Sequence, residues 1–435
     1  MAKQAFRNAG WCTLLFTASR VMAGQDVING PAPTQPLTTP AMQQDLSTSQ
    51  MEVFIPSGAE SMGNLPDPFK YDNIVVRPHV DYELEYATGV QSAPGNPQGT
   101  IVNQLTPGVK VDLGNYWSVD YTPTLRYYSS SQLQDEFDYT ASLIGNTTFG
   151  DWNFGLLQNA SVSSSPLTET GTQTDEEDYS TAVTASYIFN EALSLDTTLS
   201  QDLDYVTDPY GVSTGVGTNS AVASQNDGTR TWSIKESLNY EFWPRLTVSL
   251  VPSGGYINSD AVANQTFEEV EARVRWRATD KISLDLSGGF DDQQFLAQGY
   301  SDSISPVFSA SIQYQPFQVT EIKLTASRSV SASSYYILAE NSVNTIVSLD
   351  LNQRLLKKFT ADLNFTYTSE DYTVSVLPDS GNRTDNSYSF IARLSHPFAR
   401  RGTWSLVYQY SDNQSTMGGF GYNNTMAGAE VSYTY

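Results

Sequence analysis

The chain has 435 residues and a net charge of −24, because 47 Asp and Glu residues oppose 23 Lys and Arg. This acidity argues against a nucleic-acid-binding surface, and a single cysteine, Cys12, excludes a scaffold built on disulfides. Tyrosine occurs 26 times although the mean hydropathy is −0.34. Many aromatic residues in a chain that is polar on average are typical of a membrane β-barrel with a wet interior.

The first 23 residues predict a secretory signal peptide. Lys3 and Arg7 form a basic start, Trp11–Ala18 is a short apolar run, and Val21-Met22-Ala23 precedes the expected cleavage site. The alternative is a short buried helix. Cleavage would remove three basic residues and no acid, so the net charge would fall from −24 to −27.

Residues 24–71 show no strand periodicity and are rich in Pro, Gln and Thr. Such a composition predicts a periplasmic linker. The apolar patch Met51–Ile55 could instead dock in a barrel and plug it partly, and a tail without fixed contacts is the other alternative. We therefore expect a signal peptide over 1–23, a linker or partial plug over 24–71, and a barrel over 72–435.

From residue 73 to the last residue, apolar and polar side chains alternate along extended stretches. In the first stretch, Tyr82 and Leu84 lie on one face and Asp81 and Glu83 on the other. The last twelve residues repeat the pattern and place Tyr435, Tyr433 and Val431 on one face. A soluble sandwich would bury such a face against a second sheet, whereas a membrane barrel turns it toward lipid.

Short and long connections alternate between these stretches, as they do in outer-membrane barrels. The tight connections lie around Gly114-Asn115, Gly150-Asp151, Asn190-Glu191, Trp243-Pro244, Thr279-Asp280, Pro316-Phe317, Leu356-Lys357 and Ala399–Gly402. The longer polar ones lie near residues 87–100, 130–136, 164–177, 207–229, 257–265, 294–303, 332–341, 373–385 and 412–423. The sequence therefore predicts an all-β fold, a closed antiparallel transmembrane β-barrel of about 18 strands with short periplasmic turns and longer extracellular loops. Strand spacing and tilt then give a backbone diameter of roughly 36 Å and a lumen on the order of 15 Å.

The polar faces carry charges that would line the lumen. Along Thr266–Ala278 the inward row starts with acids and ends with bases. The candidate pore-lining residues are Arg77, Asp81, Glu83, Lys110, Arg126, Glu269, Glu271, Arg273, Arg275 and Arg277. Rings of charge could set ion selectivity, or cross-strand ion pairs could simply stabilise the inner wall. Because acids outnumber bases, we expect a mild preference for cations.

Signals for chemistry are weak, and we expect neither an enzyme nor a cofactor. A hydrolase would need a histidine beside a nucleophile or acid. His79 faces inward as an ordinary polar residue, whereas His396 is predicted at the membrane interface. The acidic loop Asp175–Asp178 could collect divalent cations or be simply solvated. The loop Asp208–Gly228 could fold inward and narrow the pore, or lie on the surface.

Three polar residues interrupt the predicted outer face, namely Gln158, Gln201 and Glu236. Polar groups that face acyl chains are costly. This sector could therefore contact another protomer in a homo-oligomer. The alternative is a β-bulge that turns each of these side chains inward.

The carboxyl-terminal Val431–Tyr435, the turn Phe149–Trp152 and the opening Asp72–Val76 carry a family resemblance. Over residues 72–435 the chain resembles Gram-negative outer-membrane β-barrels of the putative β-barrel porin type. The resemblance implies a place in the outer membrane, contact with its lipid and lipopolysaccharide, and recognition of the last strand by the insertion machinery. It implies a porin-like channel through which small polar solutes or ions diffuse passively. The alternative is an accessory barrel of exopolysaccharide export or surface anchoring that lacks free conductance.

Overall fold

The computed structural model of the chain describes residues 69–91, 96–164, 175–207, 226–260, 263–298, 300–332, 341–356, 358–373, 383–418 and 420–435. The predicted signal peptide, nearly all of the predicted linker with its Met51–Ile55 patch, and most of the 208–228 loop lie outside these residues. Within the described ranges, no helix has the length and apolar character needed to cross a membrane.

One two-residue strand and eighteen long strands form a single antiparallel sheet. The strands are β1 (Lys70–Tyr71), β2 (Ile74–Gln91), β3 (Pro97–Leu113), β4 (Trp117–Tyr128), β5 (Glu136–Phe149), β6 (Trp152–Ser163), β7 (Asp175–Asn190), β8 (Leu193–Thr207), β9 (Asn226–Trp243), β10 (Leu246–Ser259), β11 (Gln265–Thr279), β12 (Ile282–Phe295), β13 (Ser303–Phe317), β14 (Thr320–Ala332), β15 (Asn341–Leu355), β16 (Phe359–Thr373), β17 (Arg383–Phe398), β18 (Gly402–Ser415) and β19 (Tyr422–Thr434).

The eighteen long strands close into a barrel. Each pairs with its neighbours in the sequence, and the last strand, β19, returns to pair with β2. At this seam Val431 lies opposite Tyr82, and the Tyr435 N–H donates to the carbonyl of Pro78 at 2.9 Å. Closure satisfies the backbone groups of every strand edge, which a membrane requires because it holds no water to do so. The predicted closed antiparallel barrel of about 18 strands is confirmed.

The register carries the apolar face around the whole wall, because residues directly opposite each other in an antiparallel pair share a face. Val431 lies between Trp404 and Tyr82, and Tyr82 and Leu84 are both more than 40% exposed. Charged side chains of the same strand, such as Glu83 and Glu85, are buried on the other face. The apolar side chains therefore point outward and the polar ones inward.

The strands are longer than the side-chain pattern predicts. The predicted loop 87–100 is mostly strand, because β2 continues to Gln91 and β3 begins at Pro97. The acidic segment Asp175–Asp178 is likewise not a loop, because β7 begins at Asp175. Backbone N–H and C=O groups form hydrogen bonds wherever a neighbouring strand is present. The strands therefore extend beyond the segments in which apolar and polar residues alternate.

The strand ends at the short turns carry clusters of aromatic rings. Trp152 lies 4.7 Å from Tyr187, and Phe242 lies 4.9 Å from Trp243, between ring centroids. At the chain end, the Tyr435 ring lies 5.4 Å from that of Phe69. Aromatic side chains favour the boundary between lipid and water. These clusters form an aromatic girdle beside the short turns.

Candidate functional site: the polar inner wall

The charged ladder of β11 alternates with its outward apolar side chains, and its members differ in their contacts. Ser253 and Ser287 donate to Glu269 at 3.4 Å and to Glu271 at 3.0 Å. Arg273 donates through Nε to Oδ1 of Asp285 at 2.7 Å and through a second nitrogen to the other oxygen. A carboxylate on the neighbouring strand therefore neutralises the centre of the ladder.

The end of the ladder near the short turns is exposed. Arg275 donates to the amide oxygen of Asn239 at 3.0 Å and is exposed, as is Arg277. Within the described strands, neither guanidinium has a carboxylate within 4.0 Å. These two bases therefore present their charge to the space inside the wall near the short turns.

The inner face of β2 carries Arg77, Asp81 and Glu83. Arg77 pairs with Asp112, and Lys110 lies directly opposite Arg77 on β3. Gln104 donates to Glu83 at 3.5 Å. Next to the seam, Arg393 of β17 and Glu430 of β19 form an ion pair at 3.3 Å.

Arg126 lies at the centre of a buried network near the long loops. It is 8% exposed, pairs with Glu136 and with Asp138 at 3.2 Å, and donates to Gln104 at 3.0 Å. Tyr128 donates to Glu136 at 2.9 Å. Glu136 and Asp138 were not among the predicted lining residues. Their alternation with Phe137 and Tyr139 is the signal that identifies them as inward.

Three more acids converge at the loop end of β7 and β8. The carboxylate oxygens of Glu176, Asp178 and Asp204 all lie within 4.8 Å of one another. Of the acidic segment 175–178, only the two inward residues join this group, because Glu177 faces outward beside Tyr205. Such proximity concentrates negative charge at one point of the inner wall.

A second buried network lies at the loop end of β15 to β18. Arg383 is 1% exposed, pairs with Asp385, and stacks over Tyr372 at 4.8 Å and over Phe420 at 3.9 Å. Stacking of a guanidinium on aromatic rings offsets part of the cost of its burial. This charge is therefore fixed within the protein.

The wall is also closely packed between two strands that are not neighbours. Gln265 of β11 is completely buried and donates to the amide oxygen of Asn341 of β15 at 3.2 Å. Three strands separate these two in the barrel order. The loop end of this sector therefore leans inward, toward the barrel axis.

Neither histidine has the surroundings of a catalytic base. His79 Nε2 lies 3.2 Å from Thr122 Oγ1, and that hydroxyl donates to Asp120 at 2.9 Å. The hydroxyl proton is thus directed to a carboxylate rather than to the imidazole, the reverse of an activated nucleophile. His396 lies between the rings of Phe359 and Trp404, at 4.7 and 5.8 Å, as predicted for an interfacial residue.

The charges of the inner wall are distributed unevenly along the barrel axis. Among the described strands, the inward bases Arg126 and Arg383 of the loop half are both paired. The acids of that half include Glu136, Asp138, Glu176, Asp178, Asp204, Glu269, Asp291, Glu370 and Asp385. Most other inward bases, such as Arg277, lie in the turn half. The potential inside the wall is therefore most negative at the loop end.

Sequence comparison agrees with this architecture. Residues 264–435 match the family described as Putative beta-barrel porin 2. The chain is an outer-membrane β-barrel, and its part from β11 to β19 matches this porin family. No curated protein matches its sequence.

The chain is also similar to several solved structures at low sequence identity. OccAB3 of Acinetobacter baumannii is 9% identical, with 83% of this chain and 99% of that chain covered and a TM-score of 0.45. OpdQ of Pseudomonas aeruginosa is 11% identical, with 83% and 98% covered and a TM-score of 0.42. The siderophore receptor PirA of Acinetobacter baumannii is 9% identical, with 82% and 80% covered and a TM-score of 0.42.

Proposed function

We propose that this porin-type barrel is a channel through which small polar solutes and ions diffuse passively, with a mild preference for cations. The observation that carries the proposal is the excess of inward acids at the loop end, where the inward bases Arg126 and Arg383 are paired with acids. A wall lined with one sign of charge raises the local concentration of the opposite ion. Cations would therefore be enriched at the extracellular mouth.

The exposed bases Arg275 and Arg277 near the short turns would oppose this preference at the other end. A cation would leave the acidic mouth and pass a less favourable zone, so the net selectivity would be mild. Diffusion requires that entry be favourable and that binding stay weak enough for exit. The unequal ends of the wall are compatible with both requirements.

The test is conductance of the purified protein in a planar lipid bilayer, followed by the reversal potential in a salt gradient. Stepwise conductance with a reversal potential on the cation-selective side supports the proposal. Marked anion selectivity, or no conductance from correctly folded protein, would overturn it. Heat-modifiable migration on a gel identifies folded barrel in each preparation.

A second candidate is an accessory barrel for export or anchoring that does not conduct freely. The inward lean at Gln265 and Asn341 and the buried Arg383 network favour it. The discriminating measurement is single-channel conductance with and without residues 25–71. If the barrel is closed by that segment, its deletion will raise the conductance, whereas a passive porin will conduct in both forms.

A further inference from the structure

A row of polar side chains crosses the outer face of the barrel on four neighbouring strands. Gln158 of β6 lies directly opposite Thr181 of β7, and Thr181 lies directly opposite Gln201 of β8. On the next strand, Glu236 of β9 lies opposite Thr197 of β8. The outer polar row is these five residues, Gln158, Thr181, Thr197, Gln201 and Glu236.

The pairing excludes a β-bulge as the cause of this row. Along β6, Leu156 lies opposite Val183 one step away from the row, and along β8, Leu199 lies opposite Ile234. The registers of β6 with β7 and of β8 with β9 run without a shift, and the one shift between β7 and β8 lies at the turn end. The row therefore shares the face of the exposed apolar side chains.

The row lies at the depth of the acyl chains. Gln158, Thr181, Gln201 and Glu236 are six to nine residues from the turn ends of their strands. Within the described part of the chain, none of these four side chains makes a hydrogen bond or an ion pair. Unpaired amide groups and a carboxylate in contact with hydrocarbon are unfavourable.

Several other polar groups of the outer face have partners within the chain. Tyr82 donates to Asn103 at 3.1 Å, and Tyr367 donates to Asn386 at 2.7 Å. Arg328 donates to Thr345 at 3.1 Å. The outer polar row is distinguished from these groups because its donors and acceptors are left for a partner outside the barrel.

We propose that a second copy of this chain covers the outer polar row in a two-fold symmetric dimer. An amide both donates and accepts, so Gln201 and Thr181 near the axis can pair with the same residues of the other copy. The two-fold rotation places β6 of one subunit against β9 of the other. Gln158 can then donate to Glu236 of the partner subunit, which supplies a carboxylate with the donor that its own subunit lacks.

Small side chains beside the row would allow two walls to approach closely. Ala160 lies opposite Ala141 on the outer face of β6 and β5, and Ala185 lies opposite Thr197 on β7 and β8. Small residues at membrane interfaces bring backbones together and so shorten polar contacts between subunits. The outer face around the row thus combines unpaired polar groups with small side chains against which a second copy can pack.

The first test replaces Gln158, Gln201 and Glu236 together by leucine and measures the mass of the protein in mild detergent and in lipid nanodiscs. We expect wild type to be a dimer and the triple variant to be a monomer, with self-association weakened at least tenfold. The matched control, Asn103→Leu with Asn386→Leu, removes outer amides that have partners within the chain, and it should stay dimeric. Heat-modifiable migration checks that all three proteins fold.

The second test uses cross-linking through single introduced cysteines. Thr181→Cys should form a disulfide between subunits on mild oxidation, whereas Ala427→Cys, on the outer face near the seam, should not. A monomeric wild type in lipid, or equal cross-linking at both positions, overturns the proposal. A trimer overturns the two-fold arrangement, because its contacts would not be symmetric in the outer polar row.

Discussion

Arg126 and Arg277 both point into the barrel, and they differ in nearly every other respect. Arg126 lies near the long loops, is 8% exposed and is held by Glu136 and Asp138. Arg277 lies near the short turns and is exposed, with no carboxylate within 4.0 Å in the described strands. An inward arginine is thus buried and paired with acids at one end of the wall, and it is exposed to solvent at the other end.

This difference separates two roles of inward charges that the sequence could not distinguish, namely stabilisation of the wall and control of ion selectivity. A buried charge that is paired costs little while its partners are present, but it leaves them uncompensated when it is removed. An exposed charge contributes little to stability, but an ion that passes it experiences its field. We therefore expect substitutions at the loop end to change stability and substitutions at the turn end to change selectivity.

The largest expected effect follows from removal of Arg126. In Arg126→Met, Glu136 and Asp138 would remain buried without their counter-charge, and the free energy of unfolding should fall by about 3–5 kcal/mol. Urea-induced unfolding from lipid vesicles measures the change. Arg277→Met is the matched control and should stay within about 0.5 kcal/mol of wild type. Equal stability of the two variants would contradict the distinction between the two ends.

Arg383 tests whether the second loop-end network behaves like the first. Arg383→Met removes the pair with Asp385 and the stacking on Phe420, and it should lower the free energy of unfolding by about 3 kcal/mol. Arg383→Lys keeps the charge without the planar stack, so it should recover only part of the loss. Full recovery by lysine would show that the stacking contributes nothing.

Gly108 tests the close packing around His79 and Thr122 on the inner wall. A methyl group at Gly108 would lie 2.1 Å from His79 Nε2 and 2.7 Å from Thr122 Oγ1. Gly108→Ala should therefore cost about 1–3 kcal/mol of unfolding free energy. Adding His79→Ala should restore most of it, whereas an unchanged loss in the double variant would place the strain elsewhere.

The smallest effect on stability, and the clearest on transport, is expected at the turn end. Arg275→Gln with Arg277→Gln removes two exposed positive charges and should change the free energy of unfolding by less than about 0.5 kcal/mol. It should also move the reversal potential toward stronger cation preference in a salt gradient. A shift toward anions would mean that these side chains do not face the permeation path.

Much of the fold could be predicted because strand periodicity is local. The alternation of Tyr82 and Leu84 with Asp81 and Glu83 requires only that the strand be extended. The ends of the strands were harder to predict. Asp175–Asp178 is as polar as a loop, and its backbone is nevertheless paired with a neighbouring strand. Backbone pairing depends on whether a neighbouring strand is present, which composition does not record.

The sequence by itself determined the class of the protein, the number of strands and which residues of each strand face inward. Side chains of a strand alternate between its two faces with a period of two, so these features can be recognised from consecutive residues. Only the tertiary structure decided which inward charges meet, so that Arg126 lies between two acids while Arg277 has none. It also decided that Gln158, Thr181 and Gln201 form one row, because cross-strand neighbours are set by register between distant segments and not by spacing along the chain.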